Sequence, residues 1–208
     1  MTGLFGGSFN PPHLGHLVVA QACGQAAGLD RVVWMPAATS PHKQDDPAAT
    51  PAALRLAMVD AAIAGNARFE SSRLEIDRAG VSYTVDTVRQ LAEAGGPLAG
   101  AVPGGVALLI GGDSLAGFPT WREARAIAEM ARLVVYRRPG DDVRLDELPG
   151  WLAAAVTVVE GPPLDVSSTD IRARVAAGQT VRYLVPDGVR EIIRREGLYG
   201  RHIGRESA

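Results

Sequence analysis

Residues 2–16 read TGLFGGSFNPPHLGH, in which an apolar run gives way to two glycines and then to a segment rich in proline and histidine. The apolar run predicts a short buried strand over 2–6, and the apolar spacing that follows predicts a helix over 14–27. A strand that leads directly into a helix begins a βαβ unit, the building block of parallel sheets. We therefore predict that the chain opens an α/β fold.

The alternation of strand and helix continues along the chain. Apolar runs predict strands at 31–35, 67–76, 106–110, 133–136 and 156–159, and helical spacing predicts helices at 50–64, 84–94, 121–130, 148–155, 169–177 and 187–196. Thr50 and Pro51 are typical of an N-cap and a first helical residue. This order predicts one parallel sheet with helices on both faces. We expect a single domain over 1–200 and a flexible tail over 201–208.

The composition excludes several classes of protein. The 208 residues carry 21 basic and 23 acidic side chains, which argues against a nucleic-acid binder that relies on a basic surface. A single cysteine, Cys23, excludes an internal disulfide and a multi-cysteine metal site. Apolar runs such as 106–110 are too short to span a bilayer, and the first residues show no secretory signal. We therefore expect a cytoplasmic protein that binds neither nucleic acid nor membranes.

The loop after the first strand is the best candidate for a phosphate site. Gly6 and Gly7 permit a tight turn and a close approach of the backbone to a ligand, and the N-terminus of the next helix attracts an anion. His13 and His16 are three residues apart, which places them on one face of the first helical turn, with Gly15 leaving room for an oxyanion. Imidazole donors there suit a phosphoryl group that gains charge in a transition state.

Three other interpretations of this loop were weighed. One is a plain turn with two surface histidines, and the combination of two histidines with a glycine pair at a strand–helix junction argues against it. A metal site would need a third ligand, and none follows at an obvious spacing. Neither the P-loop pattern nor the dinucleotide-binding pattern is present, so those two kinds of phosphate loop do not apply.

The segment GGSFNPPHLGH resembles the signature of the H-x-G-H nucleotidylyltransferase superfamily. This resemblance implies a Rossmann-like, doubly wound nucleotidylyltransferase fold and two histidines that contact the phosphates of a nucleoside triphosphate. The family often has Asp where this chain has Asn10, but Asn also occurs there. The implied ATP-binding residues in this loop are Gly7, Ser8, Phe9, Asn10, His13, Gly15 and His16.

Residues 166–172 read VSSTDIR and follow a predicted strand and a Gly-Pro-Pro segment. Taken alone, Ser167 or Ser168 predicts a helix N-cap. Arg172, one turn later, can form paired hydrogen bonds with phosphate oxygens. The segment is similar to the I-S-S-T-x-I-R motif that closes the triphosphate site in the same superfamily. The resemblance therefore implies that Ser167, Ser168, Thr169 and Arg172 bind ATP.

Lys43 follows the second predicted strand in the sequence SPHK and is the only lysine of the chain. It can be interpreted as a solvated loop residue or as a mobile cation that reaches phosphates when substrate binds. The family has P-H-K at this position, which favours the second interpretation.

Two further segments resemble the bacterial nicotinate-mononucleotide adenylyltransferases: GVSYTVDT at 80–87, and GGDSL at 111–115 with Phe118 and Trp121. In that family an aromatic ring stacks on the pyridine ring and main-chain amides hold its carboxylate. Without these matches, Trp121 would be interpreted as a half-buried helix residue and Asp113 as a turn or cap residue. The implied acceptor site comprises Lys43, Tyr83, Thr84, Asp113 and Trp121, and Gly111 and Asp113 would also contact ATP.

Together the resemblances imply that ATP and nicotinate mononucleotide react to give deamido-NAD and pyrophosphate, with His13, His16, Lys43 and Arg172 as catalytic residues. We expect Mg²⁺ to be carried by ATP and predict no metal site in the protein. Alternative acceptors are nicotinamide mononucleotide, pantetheine phosphate or another phosphate, and a catalytically silent nucleotide sensor is the alternative outside enzymes. A homo-oligomer is left open. Residues 183–186 with Val189, and the ending 197–199, also match the family and are interpreted as packing, and 137–164 as a region without a motif.

Overall fold

The computed structural model describes residues 1–41, 50–92, 105–138 and 144–200 of the chain. Within these ranges one sheet contains six strands: β1 (Thr2–Gly7), β2 (Arg31–Pro36), β3 (Phe69–Ser71), β4 (Val106–Gly111), β5 (Ala131–Arg137) and β6 (Val156–Glu160). Their order is β3-β2-β1-β4-β5-β6, and every neighbouring pair is parallel. The predicted α/β fold, a Rossmann-like doubly wound sheet, is therefore confirmed.

The described part of the chain contains nine helices, of which the last two follow β6. They are α1 (Leu14–Ala26), α2 (Ala52–Ile63), α3 (Leu74–Arg78), α4 (Thr84–Ala92), α5 (Gly112–Gly117), α6 (Ala124–Met130), α7 (Gly150–Ala153), α8 (Ser168–Ala176) and α9 (Asp187–Arg195). Two 3-10 turns lie at Phe118–Thr120 and Leu145–Glu147.

Two local predictions are wrong. The stretch 67–76 is extended only at β3, and its end belongs to α3. The N-cap of α2 is Pro51 rather than Thr50, because the first helical hydrogen bonds, from the N–H groups of Leu54 and Arg55, are accepted by the Pro51 carbonyl.

The strands bury both faces of the sheet. Along β1, Leu4 belongs to one hydrophobic cluster and Phe5 to another, and along β4 the neighbours Leu108 and Leu109 divide in the same way. Successive strand residues point to opposite faces, so this division gives one core on each side of the sheet. Helix α4 packs on one side and α1 on the other.

A third cluster joins the C-terminal helices to α2. It contains Met58 from α2, Ile171 from α8 and Val189 from α9, all fully buried. This packing holds α8 beside the loop that follows β1, although the two are far apart in the sequence. The carboxyl ends of β1 and β4 face a crevice where the direction of winding changes, which is where open α/β sheets bind ligands.

The predicted tail over 201–208 lies outside the described residues. The single domain over 1–200 stays a prediction.

Candidate active site

The two histidines lie against each other at the start of α1. His13 is the N-cap residue, and its main-chain N–H donates to Nδ1 of His16 at 3.1 Å. The two ring centroids are 3.7 Å apart. Because Nδ1 of His16 accepts a hydrogen bond, the proton of the neutral ring is on Nε2, which is then a donor.

Both imidazoles are neutral near pH 7. Burial, together with a smaller effect of the nearby Arg138 charge, lowers the pKa of His13 to about 4. Burial also holds the pKa of His16 well below its usual value, with His13 and Arg138 contributing. The pair therefore presents N–H donors rather than positive charges. Nδ1 of His13 is buried and has no hydrogen-bond partner among the described residues.

This neutral pair makes stability depend on pH. An unfolded histidine takes up a proton below pH ~6.5, whereas folded His13 does so only below about 4. Between these values the unfolded state binds more protons, so the free energy of unfolding falls as the pH falls. We expect His13 to contribute about 3 kcal/mol of this loss. Urea unfolding at about pH 7 and about pH 4 measures this loss in the free energy of unfolding. The loss should be larger in the wild type than in His13→Gln by the contribution of His13, and equal losses in both proteins would contradict the prediction.

Two glycines and a phenylalanine shape the loop. A Cβ on Gly15 would lie 3.0 Å from the His13 ring, so Gly15 makes room for that imidazole, and the room for an oxyanion stays a prediction. A Cβ on Gly7 would lie 3.1 Å from the Phe9 ring. That ring is buried, packs edge-on against His16 with centroids 5.2 Å apart, and belongs to the core. The side chain of Phe9 therefore packs between the core and the His16 ring and helps to hold that ring in place.

The motif at 166–172 is hydrogen-bonded directly to this loop. Ser168 donates through Oγ to the Pro11 carbonyl at 2.9 Å, and Arg172 donates through Nη1 to the Asn10 carbonyl at 2.8 Å. These partners are 157 and 162 residues apart in sequence. The structure thus brings together the two segments that carry the superfamily resemblance.

Inside α8, the capping prediction holds. Ser167 is the N-cap residue, and its Oγ accepts from the Asp170 N–H at 3.1 Å. Thr169 accepts from Nη2 of Arg172 at 3.3 Å. Since Ser167 is occupied in capping, Ser168 and Arg172 are the members of this motif that reach the histidine loop.

Arg55 is a residue of this site that the sequence interpretation missed. Its guanidinium donates to four main-chain carbonyls, those of Ser8 (2.8 Å), Ala37 (2.6 Å), Ala38 (2.9 Å) and Thr50 (3.0 Å). Its side chain is 6% exposed, and burial lowers its pKa. One cation therefore ties the loop after β1 to the loop after β2. An arginine on the core-facing stripe of α2, where Val59 and Ala62 are buried, was the available signal.

Two further contributors lie in segments that were assigned no chemistry. Leu198 and Tyr199 pack against the third cluster as predicted, and Tyr199 also donates through its hydroxyl to Oδ1 of Asn10 at 2.6 Å, while burial raises its pKa. Arg138 follows β5 in the region described as lacking a motif, yet its charge acts on both His13 and His16. The histidine site is therefore assembled from more of the chain than its two motifs.

A cavity of 470 Å³ lies beside the histidine loop. Its lining includes Gly6, Gly7 and Ser8 from that loop, Tyr83 and Thr84 at the start of α4, and Trp121. The indole of Trp121 packs on the buried Phe118 ring with centroids 5.0 Å apart. Trp121 does not begin a helix as predicted: it follows a 3-10 turn in extended conformation, and α6 starts at Ala124.

Hydrogen bonds hold the segment that precedes Tyr83 and Thr84 against the loop after β2. Oγ of Ser82 accepts from the Ala38 N–H at 2.9 Å, and the Ser82 N–H donates to the Thr39 carbonyl at 2.9 Å. Behind it, the buried Glu75 carboxyl accepts from the Thr87 hydroxyl at 2.6 Å, and burial raises the pKa of Glu75. These contacts fix the approach to Tyr83 and Thr84 from two sides.

Two remaining candidates have different outcomes. Asp113 is exposed and its Oδ1 accepts from the Ser114 N–H at 2.9 Å, while a Cβ on Gly111 would lie 2.5 Å from that oxygen. Gly111 therefore accommodates the Asp113 carboxylate, which matches the turn or cap interpretation and leaves a ligand role as a prediction. Lys43 lies outside the described residues.

Among the described residues, no group of three histidine, cysteine, aspartate or glutamate side chains could hold a metal ion. Along the same ranges, no helix is both long and apolar enough to cross a membrane.

The comparisons with known proteins agree with this geometry. The sequence profile of the family described as "Cytidylyltransferase-like" matches residues 4–174. Two curated relatives, from Salinibacter ruber and Roseiflexus castenholzii, are 42% and 44% identical to this chain, with 95% of this chain and 96% and 97% of the relatives covered. Each is named "Probable nicotinate-nucleotide adenylyltransferase".

Solved structures share the fold. Two structures of Plasmodium falciparum nicotinic acid mononucleotide adenylyltransferase, one complexed with APC and one with NaAD, each give a TM-score of 0.74. They are 14% and 16% identical in sequence, and each comparison covers 95% of this chain and 96% of the other. From its similarity to the family profile and to the two curated relatives, the chain belongs to the cytidylyltransferase-like family and, within it, to the nicotinate-nucleotide adenylyltransferases.

Proposed function

We propose that this chain transfers the adenylyl group of ATP to nicotinate mononucleotide, giving deamido-NAD and pyrophosphate. The observation that carries the proposal is the bonding of the histidine loop to the Ser168 and Arg172 segment, beside a cavity lined by Tyr83 and Trp121. Hydrogen-bond donors suited to a triphosphate therefore lie next to a cavity whose aromatic lining suits a planar ring.

In the proposed reaction the acceptor phosphate attacks the α-phosphorus of ATP in line. A new P–O bond forms, the bond from the α-phosphorus to the pyrophosphate oxygen breaks, and pyrophosphate leaves with the electron pair. The acceptor phosphate is already an anion at neutral pH, so no covalent nucleophile from the protein is needed. Catalysis then consists of positioning and of stabilising charge.

The residues divide between these two tasks. Neutral His13 and His16 would donate hydrogen bonds to phosphate oxygens that gain charge, which is their proposed catalytic role. Positive charge would come from Arg172 and Lys43, with Arg138 added on the electrostatic evidence. The remaining proposed ATP contacts are Gly7, Ser8, Phe9, Asn10, Gly15, Gly111, Asp113, Ser167, Ser168 and Thr169.

For the acceptor, we propose that the indole of Trp121 stacks on the pyridine ring and that main-chain amides at Tyr83 and Thr84 hold its carboxylate. Asp113 would accept from a ribose hydroxyl, and Lys43 would reach the acceptor phosphate. The packing of Trp121 on Phe118 and the anchoring of Ser82 support a preformed acceptor site.

We propose that Mg²⁺ enters with the triphosphate, as part of the substrate. The described residues offer no three-ligand cluster for a resident ion, and phosphate oxygens are the ligands that Mg²⁺ commonly keeps in such sites. A cytoplasmic location, where both nucleotides would be met, and a homo-oligomer remain predictions.

Pyrophosphate release tests the function. The purified protein is mixed with ATP and Mg²⁺ and with one acceptor at a time: nicotinate mononucleotide, nicotinamide mononucleotide or pantetheine phosphate. We expect the acid mononucleotide to give the highest kcat/KM. Higher kcat/KM with another acceptor would identify that acceptor instead. No release with any of them would favour the nucleotide sensor, although a sensor has no need of the two donors at the start of α1.

A further inference from the structure

The 470 Å³ cavity proposed for the acceptor is lined by a basic side chain, that of Arg122, to which the proposed function assigns no role. Of the described residues that line it, Glu75 and Arg122 are the ones with side chains that ordinarily carry a full charge at neutral pH. They differ in how far their polar atoms are already used. Comparing them shows what charge the cavity presents to a ligand.

The carboxyl of Glu75 already has partners within the protein. Its carboxyl is buried, accepts a hydrogen bond from the Thr87 hydroxyl at 2.6 Å, and lies 4.0 Å from a guanidinium nitrogen of Arg78. Burial raises its pKa, which favours the neutral form. An anionic ligand therefore meets no strong repulsion from this residue.

Arg122 is placed and oriented by an aromatic contact. The central carbon of its guanidinium lies 4.6 Å from the centroid of the Tyr83 ring. Stacking on a ring face leaves the N–H groups at the edge of the guanidinium available as donors. The residue also follows Trp121 directly, so its charge lies beside the wall proposed for the pyridine ring.

The nearest acidic neighbour is already paired elsewhere. Glu123 accepts hydrogen bonds on both carboxylate oxygens from Arg89, one of them at 3.2 Å. Among the described residues, Arg122 itself makes no hydrogen bond or ion pair. Both carboxylate oxygens of Glu123 are thus hydrogen-bonded to Arg89, and the Arg122 charge acts on Glu123 only through space.

We propose that Arg122 is a specificity-determining residue that favours an acceptor bearing a carboxylate on its ring over one bearing a carboxamide. This inference rests on the proposed function and names the group that selects within it. A guanidinium gains charge-assisted hydrogen bonds with a carboxylate and only ordinary ones with a neutral amide. The effect acts on binding, since the ring carboxylate is remote from the reacting phosphorus.

The test compares Arg122→Gln with Arg125→Gln, a matched control whose side chain pairs with Glu129 and does not line the cavity. Steady-state constants are measured with acid and amide mononucleotides. For Arg122→Gln we expect about a tenfold rise in KM for the acid, with kcat unchanged and the amide values within about twofold. Arg122→Lys should recover part of the loss, with a stronger dependence on salt.

The possible failures are separable. An unchanged ratio of acid to amide kcat/KM in Arg122→Gln would overturn the inference and leave the proposed function standing. An equal loss with both acceptors would also overturn it, because Arg122 would then act on the phosphate they share or on the shape of the cavity. Absence of pyrophosphate release by the wild type with either mononucleotide would overturn the proposed function and this inference with it.

Discussion

Replacing His16 with alanine is expected to lower kcat for adenylyl transfer by about 10²–10³-fold and to leave the fold intact. The reason is that Nδ1 of His16 is held by the His13 N–H, so Nε2 keeps its proton and is directed as a donor. A preformed donor aimed at developing charge contributes most where burial excludes water. Single-turnover assays with ATP and nicotinate mononucleotide measure the change.

Two substitutions separate the donor from the structural hydrogen bond. His16→Asn keeps an acceptor near the position of Nδ1 and loses the Nε2 donor, so we expect wild-type melting and the activity of the alanine variant. His16→Gln places an amide nearer to Nε2 and should retain more activity. If kcat of His16→Asn stays within about threefold of the wild type, the catalytic role of His16 is refuted.

The second large effect is on stability. Replacing Arg55 with methionine is expected to lower the free energy of unfolding by about 3–5 kcal/mol, since it strips donors from main-chain carbonyls in a buried site. Arg55→Lys keeps the charge without the planar fork and should fall between the two. Urea unfolding at neutral pH provides the measurement.

Arg73 supplies the surface control for this experiment. It is exposed and pairs with Asp77 one turn along α3, so Arg73→Met should change stability by no more than about 0.5 kcal/mol. A loss of less than about 1 kcal/mol in Arg55→Met would show that the two loops hold together without the guanidinium.

Much of the fold could be predicted from the sequence because its strands are buried on both faces. Runs such as Val106–Gly111 are apolar throughout, and the alternation with helices leaves few topologies. Short elements were missed: α3 has five residues, and a pattern of that length does not separate helix from strand. The helix predicted from Trp121 begins only at Ala124, because Glu123, just before α6, adopts a left-handed backbone conformation with φ of 51°.

The candidate site divides in the same way. Motif residues such as His13 and Arg172 could be placed together because their segments resemble paired motifs. Arg55 and Tyr199 could not, since their partners include main-chain carbonyls and an amide 47 and 189 residues away. Carbonyl acceptors have no residue type, so they leave no signature in a sequence. The charge of Arg138 acts through space and is equally invisible there.

The bonds from Arg172 and Tyr199 to Asn10 have a consequence for biosynthesis. Asn10 is synthesised 162 and 189 residues before these two partners, so its loop acquires them only after both have been translated. The parallel sheet can collapse earlier around its own apolar strands. A translation product that ends before Arg172 would therefore lack both of these partners of the histidine loop.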